Sequence, residues 1–184
     1  RALIDDPEFN VRGFICPGHV ATIIGEKGFQ FLAEEYRIPG VISGFEPEDI
    51  LISIYRLMKQ IEDGRYEIEN EYTRAVAYEG NPAALKVMQE MLEARDDLWR
   101  GLGLIPESGL KLKAEYSMFD AEVRFDIKIK QTEENNPCRC GDVIQGKISP
   151  EECPLFGTAC TPEDPTGPCM VSGEGACAAA VKYS

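Results

Sequence analysis

Six of the seven cysteines in this chain fall within one short stretch: Cys138, Cys140, Cys153, Cys160, Cys169 and Cys177. Thiols crowded in this way do one of three kinds of chemistry. Structural disulfides belong to oxidising compartments, and a chain with an ordinary share of core residues and no basic-then-apolar leader gives little reason to expect them. A zinc site wants four thiolate or imidazole ligands, usually from Cys-x(2–4)-Cys knuckles. Here the closest pair is Cys138-Arg139-Cys140, one residue too tight for such a knuckle. An iron–sulfur cluster takes four thiolates from irregular spacings, and six cysteines leave two for thiol–disulfide exchange. The spacing is not that of a ferredoxin. Pro154-Leu155-Phe156-Gly157 and Thr161-Pro162-Glu163 nevertheless supply the tight turns and apolar cover that a cluster buried from solvent needs. The iron–sulfur reading is favoured, and a zinc-stabilised interaction module without a redox role is the alternative.

The same stretch, 138–184, has too few large aliphatic residues to fold on apolar burial alone, so a covalent or metallic link must hold it together. Two other side chains invite a chemical role. His19 is the only histidine; it follows Pro17-Gly18 at the carboxyl end of an expected strand, where open α/β sheets place ligand crevices. The bland alternative is a turn histidine satisfied by the backbone. Cys16, outside the cluster set, reads as a small buried hydrophobe. Arg74 and Glu46 are candidates for buried partners or cleft residues.

The elements that position these groups follow from apolar spacing. Val11–Ile15 reads as a buried strand stopping at Cys16-Pro17-Gly18, Phe29, Leu32, Ala33 and Tyr36 as a helix, and Val41-Ile42 as a second strand. Pro47 opens a helix whose face is Ile50, Ile54, Leu57 and Ile61, and Gly64 closes it. Tyr66, Ile68 and Tyr72 suggest a further extended piece. Asn81-Pro82 caps a helix carrying Leu85, Met88, Leu92 and Trp99, ended by Gly101 and Gly103. Alternating strands and helices imply a mostly parallel sheet flanked by helices, an α/β domain over residues 1–130. The stretch from Leu110 to Ile129 is ambiguous between a strand carrying Val123, Phe125, Ile127 and Ile129 and a short helix with an extended arm. A boundary is expected where the composition turns polar at 131–137, with a cysteine-rich module over 131–184.

A net charge of −13 without a basic stripe argues against nucleic acid, and no run approaches the roughly 20 apolar residues that span a bilayer, so a cytoplasmic protein is expected.

Read as words, Cys138-Arg-Cys-Gly-Asp142, Cys153-Pro-Leu-Phe-Gly-Thr-Ala-Cys-Thr-Pro162, Gly167-Pro-Cys-Met-Val-Ser172 and Glu174-Gly-Ala-Cys177 strongly resemble the C-terminal module of the HypD family of hydrogenase maturation factors. Pro17-Gly-His-Val20, Gly44-Phe-Glu-Pro47 followed by Asp49-Ile50, Asn70 through Arg74 to Val76, Trp99-Arg-Gly-Leu-Gly103 and Phe119-Asp-Ala121 resemble the same family in order. The resemblance implies a redox scaffold for the Fe(CN)2CO unit of [NiFe]-hydrogenases, working with a HypC-type chaperone and a HypE-type cyanide donor. It implies a [4Fe–4S] site like that of ferredoxin–thioredoxin reductase, ligated by Cys138, Cys153, Cys160 and Cys177. Cys140 and Cys169 would be the adjacent dithiol/disulfide, and His19 a proton donor or polar lining of a cleft. A freestanding thiol reductase is a third, weaker reading. Full-length members carry an N-terminal Cys-Gly-x-His-Glu motif and a Cys-Pro-x-Cys pair, and neither stands in this sequence. The chain is therefore expected to be the second α/β domain plus the cluster module of a longer protein, unable to assemble the iron unit alone.

Overall fold

A computed structural model describes residues 1–99, 101–127 and 137–183. They divide into two units, Val11–Met91 and a second made of Arg1–Asn10 with Leu92 onward. The boundary expected at 131–137 falls almost wholly outside the described residues.

In the first unit β1 (Phe14–Pro17) leads into α1 (Gly18–Ile24), a 3-10 turn (Glu26–Phe29) and α2 (Gln30–Glu34), then β2 (Gly40–Ser43), α3 (Pro47–Asp63), β3 (Ile68–Asn70) and α4 (Pro82–Met91). The three strands form one parallel sheet in the order β1-β2-β3, with Cys16 opposite Ile42 and Ile42 opposite Asn70. The expected α/β class with a parallel sheet is what the chain adopts. β2 is buried along its whole length, as a central parallel strand covered on both faces must be. Val41 and Ile42 anchor its core together with Ala21, Leu32, Ile68 and Val76.

In the second unit, the part from Leu92 onward opens with an antiparallel hairpin, β4 (Leu92–Trp99) and β5 (Gly103–Leu112). A 3-10 helix (Ala114–Phe119) and α5 (Ala121–Arg124) follow, then α6 (Cys140–Ile144), a 3-10 turn (Pro150–Glu152), α7 (Pro168–Val171) and α8 (Ala176–Tyr183).

Several expectations need correction. The helix opened by Asn81 is real, with Asn81 Oδ1 accepting from the amides of Ala83 and Ala84, but it ends at Met91. Leu92 and Trp99 lie in β4, where cross-strand pairing with Leu112 and Gly103 overrides their helical spacing. Gly101 and Gly103, at φ +82° and +79°, shape a hairpin turn and not a helix stop. The helix expected around Phe29 to Tyr36 is split between the 3-10 turn and α2, and α1 had no counterpart in the spacing. In α3 the side chains buried against the sheet are Asp49, Ser53 and Gln60, whereas Ile50 and Ile54 are exposed. Asp49 is paired there with Arg74, and Gln60 Oε1 accepts from the Glu67 amide at 3.0 Å. The extended piece near Tyr66 is limited to β3, and Tyr72 opens a turn. The ambiguous stretch contains the short helix α5, while Ile129 lies outside the described residues.

Candidate functional site

The buried core of the cysteine-rich part consists of Cys140, Val143, Cys160, Cys169, Met170 and Cys177, with Ile148, Leu155 and Phe156 packed against it. Four of these six buried residues are thiols, so sulfur occupies the space that aliphatic side chains fill in an ordinary core. All six cysteines of the stretch line one pocket of about 230 Å³, mouth included, together with Phe156, Gly167 and Met170.

Five of the six cysteines are each placed by a turn or short helix of their own. Cys140 starts α6, and the Arg139 guanidinium pairs with Asp142 one turn on. Cys153 ends a 3-10 turn fixed by a reciprocal cap, in which the Ser149 amide donates to Glu152 Oε2 at 2.7 Å. Cys160 closes a tight loop: its amide donates to the Leu155 carbonyl at 2.9 Å, its carbonyl accepts from Gly157 at 3.1 Å, and Gly157 takes φ +66°. Pro168 at the first position of α7 sets Cys169, and Cys177 lies in the first turn of α8. A methyl on Gly167 would stand 2.7 Å from Cys138 Sγ and 3.2 Å from Cys140 Cβ, so that glycine keeps the pocket open.

The geometry brings together all six cysteines that the sequence singled out. Cys169 Sγ lies 3.1 Å from Cys177 Sγ and also hydrogen-bonds the Cys140 thiol. The Thr166 amide donates to Cys160 Sγ at 3.2 Å and so fixes that sulfur against the loop. Burial, then the neighbouring Cys169, pushes the Cys140 thiol up to about 11. Burial, then Cys177, pushes Cys169 up to about 12, and burial also raises Cys138 and Cys177. A pocket that resists thiolates needs a cationic guest to hold several of them at once. The donors are soft, and the pocket lining adds no other ionisable side chain, which fits a thiolate-ligated iron centre. Among the described residues no three His, Cys, Asp or Glu side chains converge as they would on one ion.

A second polar group stands in the first unit, at the carboxyl ends of β1 and β2. His19, exposed in the first turn of α1, stacks on Phe45 with ring centroids 4.0 Å apart, and Phe45 meets Tyr72 edge-on at 6.2 Å. The Arg74 guanidinium lies 4.5 Å over the Tyr72 ring and is bidentate on Asp49. Sequence reasoning named Arg74 without its partner. Glu46 caps α3 reciprocally with Asp49, whose carboxylate accepts from the Glu46 amide at 3.1 Å. Cys16, in contrast, is packing: it is buried in β1 and its thiol is pushed up to about 12 by that burial. Among the described residues no helix is long and apolar enough to cross a membrane.

The family model described as "HypD: Hydrogenase formation hypA family" matches residues 1–184. The hydrogenase maturation factor HypD2 of Bradyrhizobium diazoefficiens is 49% identical over 174 residues, 94% of this chain and 46% of that protein. HypD of Cupriavidus necator is 45% identical over 174 residues, 94% of this chain and 46% of its own length. HypD of Rhodobacter capsulatus is 45% identical across 100% of this chain and 50% of its own length. The chain thus spans about half the length of these curated relatives, and on a match that runs from its first residue to its last it belongs to the HypD family of hydrogenase maturation factors.

Proposed function

We propose that the cysteine module is an iron–sulfur and dithiol redox centre serving assembly of the Fe(CN)2CO unit of [NiFe]-hydrogenases. Cys138, Cys153, Cys160 and Cys177 hold a [4Fe–4S] cluster in this reading, and Cys140 and Cys169 form the adjacent dithiol/disulfide. The observation that carries it is the single pocket lined by six thiols in a core otherwise short of apolar bulk. A bound cluster supplies one electron at a time. The Cys140–Cys169 disulfide takes two electrons and two protons and opens to two thiols, so the pair stores what two single transfers deliver. The protein's own part is to hold that pair against the cluster site and keep water out: Phe156 and Met170 close the wall, and the Thr166 amide steadies Cys160. The likeness to ferredoxin–thioredoxin reductase is a proposal of function as much as of fold. His19, stacked on Phe45, serves in this reading as a proton donor or as polar lining of the site where the iron cargo is worked on. A HypC-type chaperone and a HypE-type cyanide donor are the partners this reading requires, with the remaining half of the family's length supplying the iron-holding residues.

Serine replacement one cysteine at a time tests the division of labour. Loss of iron in Cys138→Ser, Cys153→Ser, Cys160→Ser and Cys177→Ser, with iron kept in Cys140→Ser and Cys169→Ser, is expected. Iron lost equally in all six would reject the assignment, and stoichiometric zinc would favour the interaction module instead.

A further inference from the structure

We infer that the first unit carries an anion-binding pocket at the amino end of its sheet, where Arg12 and Arg37 hold the phosphate group of a small phosphate monoester. The pocket lies at the opposite end of the strands from His19 and does not depend on the cluster reading.

It is built where the chain enters each strand. Arg12 stands two residues before β1, Arg37, Ile38 and Pro39 lead into β2, and Tyr66 stands two residues before β3. Val11 and Ile61 complete a hollow of about 510 Å³, mouth included, whose lining contains two guanidiniums and no carboxylate. The chain as a whole carries 32 acidic residues against 19 basic ones, so this wall reverses its charge locally.

The unit Val11–Met91 has five arginines. Arg56 pairs with Glu69, Arg65 with Glu67 and Arg74 with Asp49. Arg12 and Arg37 have no carboxylate partner among the described residues, and they are the two that line this pocket.

Arg37 is fixed at both ends. Its guanidinium lies 5.0 Å over the Tyr66 ring. Its backbone takes φ +54° just past the end of α2, where the Ile38 amide donates to the Leu32 carbonyl at 2.9 Å. Glycine is the usual occupant of such a left-handed position, because a Cβ is disfavoured there. An arginine held against its backbone preference points to a task for its side chain.

Two planar guanidiniums, each able to present a pair of parallel N–H donors, match the charge and the oxygens of a phosphate dianion; a carboxylate would leave one of them unneutralised. The remaining lining, Val11, Ile38, Pro39 and Ile61, offers apolar area to the body that carries the phosphate.

Phenyl phosphate is the probe, titrated by calorimetry into the anaerobically purified chain at low ionic strength and about pH 8, where a phosphate monoester is a dianion. Inorganic phosphate and benzoate are the comparisons. Saturable binding is expected, tighter for phenyl phosphate than for either comparison. Arg12→Met and Arg37→Met should each weaken it about tenfold or more, while Arg56→Met, which removes a cation of the same unit outside the pocket, should stay within about twofold. Arg37→Gly separates site from scaffold: it relieves the left-handed strain, so the melting temperature should hold while binding falls as in Arg37→Met. No saturable binding below about 10 mM phenyl phosphate would overturn the inference. So would equal weakening by Arg56→Met, unchanged affinity in Arg12→Met and Arg37→Met, or benzoate bound as tightly as phenyl phosphate. Lower melting temperatures in the two pocket variants, with no binding by the parent, would also overturn it and reduce both arginines to partners of the negative ends of α2 and α3.

Discussion

Arg74 reaches from the loop after β3 to lie bidentate on Asp49 in the first turn of α3, bridging 25 positions of sequence. That one pair ties the loop carrying Tyr72 to the helix that follows Phe45, so it sets the aromatic platform beneath His19.

Asp49→Asn keeps the size of the side chain and removes the charge that Arg74 needs. The Arg74 guanidinium, followed by the Glu46 and Phe45 amides, holds the Asp49 carboxyl below the usual carboxylate range. A depressed value in the folded state gives stability that is present above the unfolded value, near 4, and is lost as pH falls through the folded one. The variant should therefore melt below the parent at pH 7, and the gap should close as pH drops below about 4. Melting curves across pH 2–8 measure this; a constant gap would show that the charge is not what matters.

Gly44 has no room for a side chain. A methyl there would stand 2.7 Å from Asp49 Cγ and 2.7 Å from Tyr72 Cδ2. Gly44→Ala should destabilise the sheet unit by about 1–3 kcal/mol through overpacking, read from urea unfolding followed by tyrosine fluorescence.

Ile42 is fully buried in the central strand. Ile42→Ala should cost about 2–5 kcal/mol, and iron content per folded chain should be unaffected because Ile42 lines no part of the cysteine pocket.

His19→Gln removes a titratable ring while leaving the fold and the six-cysteine core intact. Introduced at the matching position of a full-length relative, it should lower hydrogenase maturation while leaving iron and sulfide content unchanged. Undiminished maturation would reduce His19 to a turn residue.

The chemistry was more legible in the sequence than the shape. Six cysteines in a stretch without aliphatic bulk announce a sulfur-lined core, and Pro47 and Gly64 mark the ends of α3 because caps are local features. Gly64 indeed takes φ +65°. Local signals failed where a distant partner decides: Leu92 and Trp99 sit at helical spacing behind Met88, and only pairing with β5 makes them a strand. The Asp49–Arg74 pair was hidden for the same reason. In α3 the spacing marks one apolar face of Ile50, Ile54, Leu57 and Ile61, yet Ile50 and Ile54 are exposed while Asp49, Ser53 and Gln60 are buried. This is because Asp49 and Gln60 bond to Arg74 and the Glu67 amide, partners that lie outside the helix.

Anaerobic purification followed by iron and acid-labile sulfide analysis tests the central claim most directly. About four iron and four sulfide per chain are expected, in a brown protein whose visible absorption fades on reduction. A colourless preparation in which the 138–184 segment is compact, all of its thiols are free and neither iron nor sulfide is present would contradict it.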